Sequence, residues 1–166
     1  AFLTTDAQVA QPLLQKTFSK LIDRSFNRIS VDGDMSTNDM ATLMANGRSG
    51  APELTEGSEG FAAFEAALEH VLVTLAKMIA RDGEGATKLV EVAVKGARTE
   101  AEATQAARAV ANSNLVKTAI HGADANWGRI LAAVGYSGID FDPARTELFF
   151  DALPIRSEEH TSELQS

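Results

Sequence analysis

The chain has 166 residues, of which 45% are hydrophobic and 23% are charged, values typical of a soluble globular protein. It contains no cysteine, which excludes disulfides and thiolate chemistry, and no apolar run approaches the ~20 residues that a membrane helix needs. The net charge of −8 argues against a nucleic-acid partner, because the sequence has no basic stripe that could displace phosphate counterions.

The first half of the chain predicts strands alternating with amphipathic helices. Pro12 suits the first position of a helix, and apolar residues recur at helical spacing between positions 61 and 81. Gly83 is predicted to end the second helix in the left-handed conformation. The predicted strands are 1–5, 26–32 and 40–45, the helices are 12–23 and 61–81, and 48–59 is a surface loop.

The second half continues the alternation. Residues 88–98 alternate apolar and polar side chains with period two, which predicts a half-buried strand. Thr99 and Glu102 form a capping box that predicts a helix start. Further elements are predicted as helices at 99–112 and 127–135 and strands at 115–121 and 146–150. Strands mixed with segregated helices predict an α+β fold.

Residues 25–39, with the sequence SFNRISVDGDMSTND, concentrate polar side chains around a short apolar core. Gly33 allows the backbone to turn with a positive φ. Ser36, Thr37 and Asn38 follow with Asp39, and such groups either satisfy backbone donors in a turn or line a polar cleft. From the residues alone, the turn interpretation is favoured.

The same segment resembles the ornithine acetyltransferase family, the bifunctional glutamate N-acetyltransferases of arginine synthesis. Three further blocks resemble that family in the same order: AFLTTDA at 1–7, DGEGATK at 82–88, and LVKTAI at 115–120 continuing to ANWGRILAAV at 125–134. Four ordered blocks over about 145 residues are more specific than any single motif. The sequence is therefore identified as resembling a partial β subunit over residues 1–150.

The resemblance implies a layered α/β/β/α sandwich and a ping-pong transfer of acetyl from N-acetylornithine to glutamate through an acetyl-threonine intermediate. It implies neither a metal nor another cofactor, although part of the family also accepts acetyl-CoA as donor. The family precursor cuts itself before the threonine, which then begins the β subunit. An α subunit of the same precursor, an α2β2 heterotetramer and a cytoplasmic location are the corresponding expectations.

By the same resemblance, Ala1 aligns with the fourth position of the β subunit, so the nucleophilic threonine is expected upstream of Ala1. No catalytic residue is then expected within the 166 residues, since Thr4 and Thr5 align with a strand end. Residues 151–166 resemble a translated sequencing adapter, and we expect them to be disordered.

Glu84 is the main candidate for substrate binding. It lies between Gly83 and Gly85, where neighbouring side chains do not crowd its carboxylate. From the residues alone it is a solvated loop glutamate, whereas the resemblance implies contact with the cationic amine of ornithine. Ser36, Thr37, Asn38 and Asn126 are candidate cleft-lining residues, although Asn126 also suits a helix cap. His70, His121 and His160 have no metal-ligand spacing.

Two alternatives remain open at this stage. One is a self-cleaving amidohydrolase or aminopeptidase of similar fold, in which water accepts the acyl group. The other is a non-catalytic interaction domain that keeps the fold. The sequence upstream of Ala1 and a product assay would distinguish them from the acetyltransferase.

Overall fold

A computed structural model describes residues 1–156 of the chain, which divides into two compact units, Ala1–Leu89 and Val90–Ser166. The first unit contains strands β1 (Phe2–Thr5) and β2 (Thr42–Ala45) and helices α1 (Gln11–Asp23) and α2 (Glu59–Arg81). The second contains helices α3 (Glu100–Asn112), α4 (Asn114–His121) and α5 (Trp127–Gly135) and strands β3 (Leu148–Phe150) and β4 (Leu153–Arg156).

In the first unit, β1 and β2 pair in parallel, with Phe2 opposite Thr42 and Thr5 opposite Ala45. Pro12 lies in the first turn of α1, and the Ser58 hydroxyl caps α2 by accepting from the backbone N–H of Phe61 at 3.2 Å. The helices cover the inner face of the sheet. The buried core comprises Leu3, Phe18, Leu21, Leu68 and Leu72.

The outer face of this two-stranded sheet is uncovered within the unit. Phe2 of β1 is 72% exposed and Met44 of β2 is 50% exposed, whereas Leu3 between the outward side chains of β1 is buried. Parallel sheets in proteins are normally covered on both faces. The sheet therefore presents an apolar surface that its own helices do not bury.

In the second unit, three short helices surround a small apolar core. Val110, Val116 and Ala133 are buried there, one from each helix. Val92, from the segment before α3, packs against the same cluster. The predicted N-cap is confirmed at Thr99, whose hydroxyl accepts from the backbone N–H of Glu102 at 3.1 Å. The reciprocal bond of a capping box is not formed, because the Glu102 carboxylate accepts from Arg98 instead.

The predicted strands near 1–5, 40–45 and 146–150 and the predicted helices near 12–23, 61–81, 99–112 and 127–135 are confirmed. The predicted strand at 26–32 is wrong. Phe26–Arg28 forms a 3₁₀ turn instead, and the structure assigns no strand between it and β2. The Ser25 hydroxyl donates to the carbonyl of Leu21 at 2.7 Å, and the Arg28 N–H donates to the Ser25 carbonyl at 2.9 Å. These local bonds hold the chain in a turn just after α1.

The predicted strand at 115–121 is also wrong, because this segment is helix α4. Ser113 caps it by accepting from the Val116 N–H at 3.3 Å. Val116 and Ala119 are buried and Ile120 packs on the same core, which is helical spacing. Tertiary burial of this face overrides the strand preference of the β-branched residues.

The strand predicted at 88–98 is not assigned as a strand in the structure. Period-two burial is present only over 91–95, where Val92 and Val94 are half-buried while Glu91, Ala93 and Lys95 are exposed, and Val90 of the predicted buried face is 48% exposed. A strand also needs a hydrogen-bonded neighbour, and no ladder to this segment is found in residues 1–156.

The prediction that Gly83 takes the left-handed conformation after α2 is wrong, because the glycine with a positive φ there is Gly85 (φ 71°).

The expected disorder from residue 151 onwards is wrong for residues 151–156. β4 pairs antiparallel with β3, with Phe150 opposite Leu153. Asp151 adopts a positive φ of 53° at the turn, which aspartate tolerates better than most residues. The apolar Leu153 and Ile155 suit strand pairing with β3. The rest of the predicted tail, 157–166, lies outside the described residues.

Candidate functional site

Glu84 lies at the tip of a tight turn directly after α2. The Ala86 N–H donates to the carbonyl of Gly83 at 2.9 Å, which closes the turn around Glu84. Gly85 has a φ of 71° and nothing within 4 Å of where a Cβ would stand, so the turn needs a glycine there for its conformation. The side chain of Glu84 projects from a segment that a helix end holds in place.

The carboxylate of Glu84 is exposed and makes no hydrogen bond or ion pair with residues 1–156. An unpaired carboxylate keeps all its acceptor sites for a ligand. A charge-assisted hydrogen bond to an ammonium group is worth about 1.5–3 kcal/mol. The geometry therefore permits cation binding at Glu84.

Ser36, Thr37 and Asn38 lie in an exposed loop between the 3₁₀ turn and β2. The Ser36 hydroxyl accepts from the Asn38 N–H at 3.1 Å, and the Thr37 hydroxyl donates to the Asn38 amide oxygen at 3.4 Å. Upstream, the Asp34 N–H donates to the Asp32 carboxylate at 2.8 Å. These bonds satisfy the loop locally, as the turn interpretation predicted, and a cleft-lining role stays a prediction.

Asn126 is the N-cap of α5. Its side-chain oxygen accepts from the Arg129 N–H at 3.2 Å, and its amide nitrogen donates to the Asp124 carboxylate at 3.0 Å. The predicted helix cap is therefore confirmed. Both polar atoms already have partners, so a ligand at Asn126 would compete with the cap.

Among the predicted site residues, only those of the Ser36–Asn38 loop are hydrogen-bonded to one another, and within the first unit Glu84 makes no hydrogen bond to that loop. Glu84 and the Ser36–Asn38 loop belong to the first unit, and Asn126 belongs to the second. Within residues 1–156, no group of three or more histidine, aspartate or glutamate side chains is placed to hold a metal ion. No helix of the described chain is long and apolar enough to cross a membrane.

A groove between α1 and the start of α2 was not predicted from the sequence. Lys16 and Lys20, four residues apart on α1, line it together with Glu56 and Glu65. Lys16 donates a hydrogen bond to Glu56 at 2.6 Å, and this bond lowers the pKa of the Glu56 carboxyl. The spacing of the two lysines shows that they share a helix face, but nothing in the sequence indicates which acidic residues face them.

Comparison with known proteins gives consistent matches. The ArgJ family profile matches residues 1–166. The chain is 64% identical over 151 residues to the arginine biosynthesis bifunctional protein ArgJ of Geobacter sulfurreducens, covering 91% of this chain and 38% of that protein. The ArgJ of Symbiobacterium thermophilum is 58% identical over 154 residues, covering 93% and 38% respectively. The chain thus spans well under half the length of these relatives.

A solved structure is similar over nearly the whole chain. The crystal structure of the arginine biosynthesis bifunctional protein ArgJ from Bacillus halodurans superposes with a TM-score of 0.89 at 45% sequence identity. The match covers 99% of this chain and 82% of the solved chain. At 45% identity, the two chains are similar in sequence as well as in fold.

Proposed function

Since the chain belongs to the ArgJ family, we propose that its parent protein transfers acetyl from N-acetylornithine to glutamate in arginine biosynthesis. The observation that carries the proposal is the 64% identity over 151 residues to a protein named for bifunctional arginine biosynthesis. The activity belongs to the parent protein, because this chain spans 38% of the length of that relative.

In the proposed reaction, a threonine preceding Ala1 in the parent protein attacks the acetyl carbonyl of N-acetylornithine. Its own α-amine takes the hydroxyl proton, the C–N bond breaks, and ornithine leaves with that proton. The α-amine of glutamate then attacks the acetyl-threonine ester, and the threonine oxygen regains a proton as N-acetylglutamate departs. This is covalent catalysis, which divides one acyl transfer into two easier steps.

Glu84 is proposed to hold the distal ammonium of ornithine while the acetyl group is transferred. Its exposure, its lack of a partner within residues 1–156 and its position between two glycines support this role. The candidate cleft-lining residues are proposed to contribute less to substrate binding than Glu84; they are Ser36, Thr37, Asn38 and Asn126. We expect them to affect catalysis less than Glu84, since each already makes local hydrogen bonds.

The uncovered sheet supports the proposed α/β/β/α layering. α1 and α2 cover one face of β1 and β2, and the other face exposes Phe2 and Met44. A second sheet of the parent protein, stacked at the ≈ 10 Å separation usual for sheets, would bury these side chains. An α subunit and an α2β2 assembly in the cytoplasm complete the proposal.

A product assay tests the proposal. The parent protein is incubated with N-acetylornithine and ¹⁵N-glutamate, and the products are identified by mass spectrometry. We expect ¹⁵N-labelled N-acetylglutamate and free ornithine in equal amounts. Free acetate in place of N-acetylglutamate would favour the amidohydrolase alternative, and no turnover would favour a non-catalytic domain. A parallel reaction with acetyl-CoA tests the second donor, and the isolated 166-residue chain should be inactive in both.

A further inference from the structure

The groove between α1 and the first turn of α2 has a volume of about 240 Å³. Leu13, Phe61 and Ala62 provide its apolar lining. Ligand pockets for drug-sized molecules measure roughly 300–1,000 Å³, so this groove suits a smaller molecule. Neither the proposed acetyl transfer nor the fold assigns it a role.

Thr17 gives the groove a hydroxyl that has no hydrogen-bond partner among the described residues. The residue is only 4% exposed, yet its hydroxyl makes no hydrogen bond within residues 1–156. No side-chain polar atom that is fully buried in the described structure lacks a partner, so solvent must reach the Thr17 hydroxyl, and Thr17 lines the groove. A nearly buried hydroxyl open to a groove is a hydrogen-bonding group available to a ligand.

Both signs of charge flank this hydroxyl. The Lys16 ammonium lies 2.6 Å from the Glu56 carboxylate, and the Lys20 ammonium lies 2.8 Å from the Glu65 carboxylate. The Lys16–Glu56 pair is exposed and the Lys20–Glu65 pair is partly exposed, and ion pairs in contact with solvent contribute little to stability. A ligand with both a carboxylate and an ammonium can therefore separate such a pair. Its carboxylate binds the lysine and its ammonium binds the glutamate, so neither protein charge is left unpaired.

The start of α2 adds a preference for where the negative end of such a ligand lies. Gly57 and Ser58 line the groove at the N-terminus of this 23-residue helix. The unpaired N–H groups and the dipole of a helix N-terminus favour an anionic group. The start of α2 thus favours a carboxylate in the groove, while Lys20 of α1 and Glu65, which lies more than a turn into α2, offer one charge of each sign.

We propose that this groove binds a small apolar α-amino acid. Its carboxylate binds Lys20 and the Thr17 hydroxyl, its ammonium binds Glu65, and its side chain packs on Leu13 and Phe61. The groove is distinct from the turn that carries Glu84, and binding there does not depend on acetyl transfer.

Calorimetric titration of the 166-residue chain with L-leucine tests the proposal. Two analogues serve as controls: 4-methylpentanoate lacks the ammonium, and 3-methylbutylamine lacks the carboxylate. We expect L-leucine to bind with a millimolar Kd and each analogue to bind at least about tenfold more weakly, because each loses a charge-assisted hydrogen bond. Equal binding of the three compounds, or no binding of L-leucine, overturns the proposal.

Three variants locate the contacts. Thr17→Val should weaken L-leucine binding about tenfold without lowering Tm. The control is Thr74→Val, which should leave binding unchanged; the Thr74 hydroxyl donates to the His70 carbonyl on α2. Lys20→Gln should remove the advantage of L-leucine over 3-methylbutylamine. Glu65→Gln should remove its advantage over 4-methylpentanoate. If all three variants bind L-leucine as the unmodified chain does, the groove is not the site.

Discussion

The backbone N–H of Asp124 donates a hydrogen bond to the carbonyl of Ala119 at 2.9 Å, so the chain doubles back at the end of α4. The Ala123 N–H donates to the Ile120 carbonyl at 3.1 Å, and Ala123 has a φ of 56°. These two bonds define a Schellman motif, in which the left-handed position is usually glycine. Here the glycine, Gly122, lies one residue earlier, and Ala123 adopts the strained left-handed conformation.

Ala123→Gly should therefore stabilise the protein. Left-handed backbone costs an L-residue about 1–2 kcal/mol, and the added flexibility of glycine in the unfolded chain offsets about 0.5–1 kcal/mol of the gain. We expect the free energy of unfolding to rise by about 0.5–1 kcal/mol in chemical denaturation. The matched control is Ala125→Gly, an exposed alanine whose φ is not positive, which should lower stability slightly. Equal effects of the two variants would contradict the strain at Ala123.

Ser113 terminates α3 and begins α4, since its N–H donates to the Val110 carbonyl and its hydroxyl accepts from Val116. Ser113→Ala should lower the free energy of unfolding by about 1 kcal/mol, because the cap of α4 is lost where Val116 is buried. Ser49→Ala, in an exposed loop, should change it by less than about 0.5 kcal/mol. Thermal melts followed by circular dichroism would measure the stability of both variants. Equal losses of stability would show that the Ser113 cap does not stabilise α4.

Glu84→Gln in the parent protein should lower kcat/KM for N-acetylornithine by about 10- to 150-fold, the equivalent of about 1.5–3 kcal/mol. The amide keeps the shape but loses the charge that, in the proposed role of Glu84, complements the ornithine ammonium. Self-cleavage should be less affected, and Tm should barely change because the side chain is exposed. Glu53→Gln, another exposed loop glutamate, is the control. Unchanged kinetics together with a lower Tm would assign Glu84 a structural role.

The Lys16–Glu56 pair predicts a pH dependence with a definite sign. The hydrogen bond and charge of Lys16 lower the pKa of Glu56 below its ordinary value of 4.5. Any stability the pair contributes is therefore fully present above that value and is lost as the pH falls through the lowered pKa. Carboxyl ¹³C shifts should show the low pKa in the unmodified chain and a return toward 4.5 in Lys16→Gln. No change in the variant would show that the pair does not persist in solution.

Removal of residues 151–166 should change the free energy of unfolding by less than about 0.5 kcal/mol, although 151–156 form a turn and a strand. Neither apolar core of the described chain includes a residue of the β3–β4 hairpin, and a two-stranded hairpin by itself is marginally stable. Differential scanning calorimetry of the truncated chain measures this. A fall in Tm of several degrees would show that the tail packs on the domain, against the adapter interpretation.

The sequence by itself determined the elements whose signals are local. The sequence signals of these elements act within a few residues, and the structure confirms the N-caps at Thr99 and Asn126, Pro12 at the start of α1 and the long apolar stripe of α2. The ordered blocks likewise indicated the family, because they depend on residue identity rather than on contacts.

Only the tertiary structure decided the elements whose local preference is ambiguous. Residues 115–121 favour a strand by composition, but burial of Val116 and Ala119 in a three-helix core makes them helical. Residues 91–95 keep the alternating burial of a strand, but within residues 1–156 they have no neighbouring strand to bond. The groove at Thr17 was equally invisible in the sequence, because Lys20 and Glu65 are 45 residues apart and meet only when α1 packs against α2. Local rules specify what each segment prefers, whereas burial and pairing between distant segments select among those preferences.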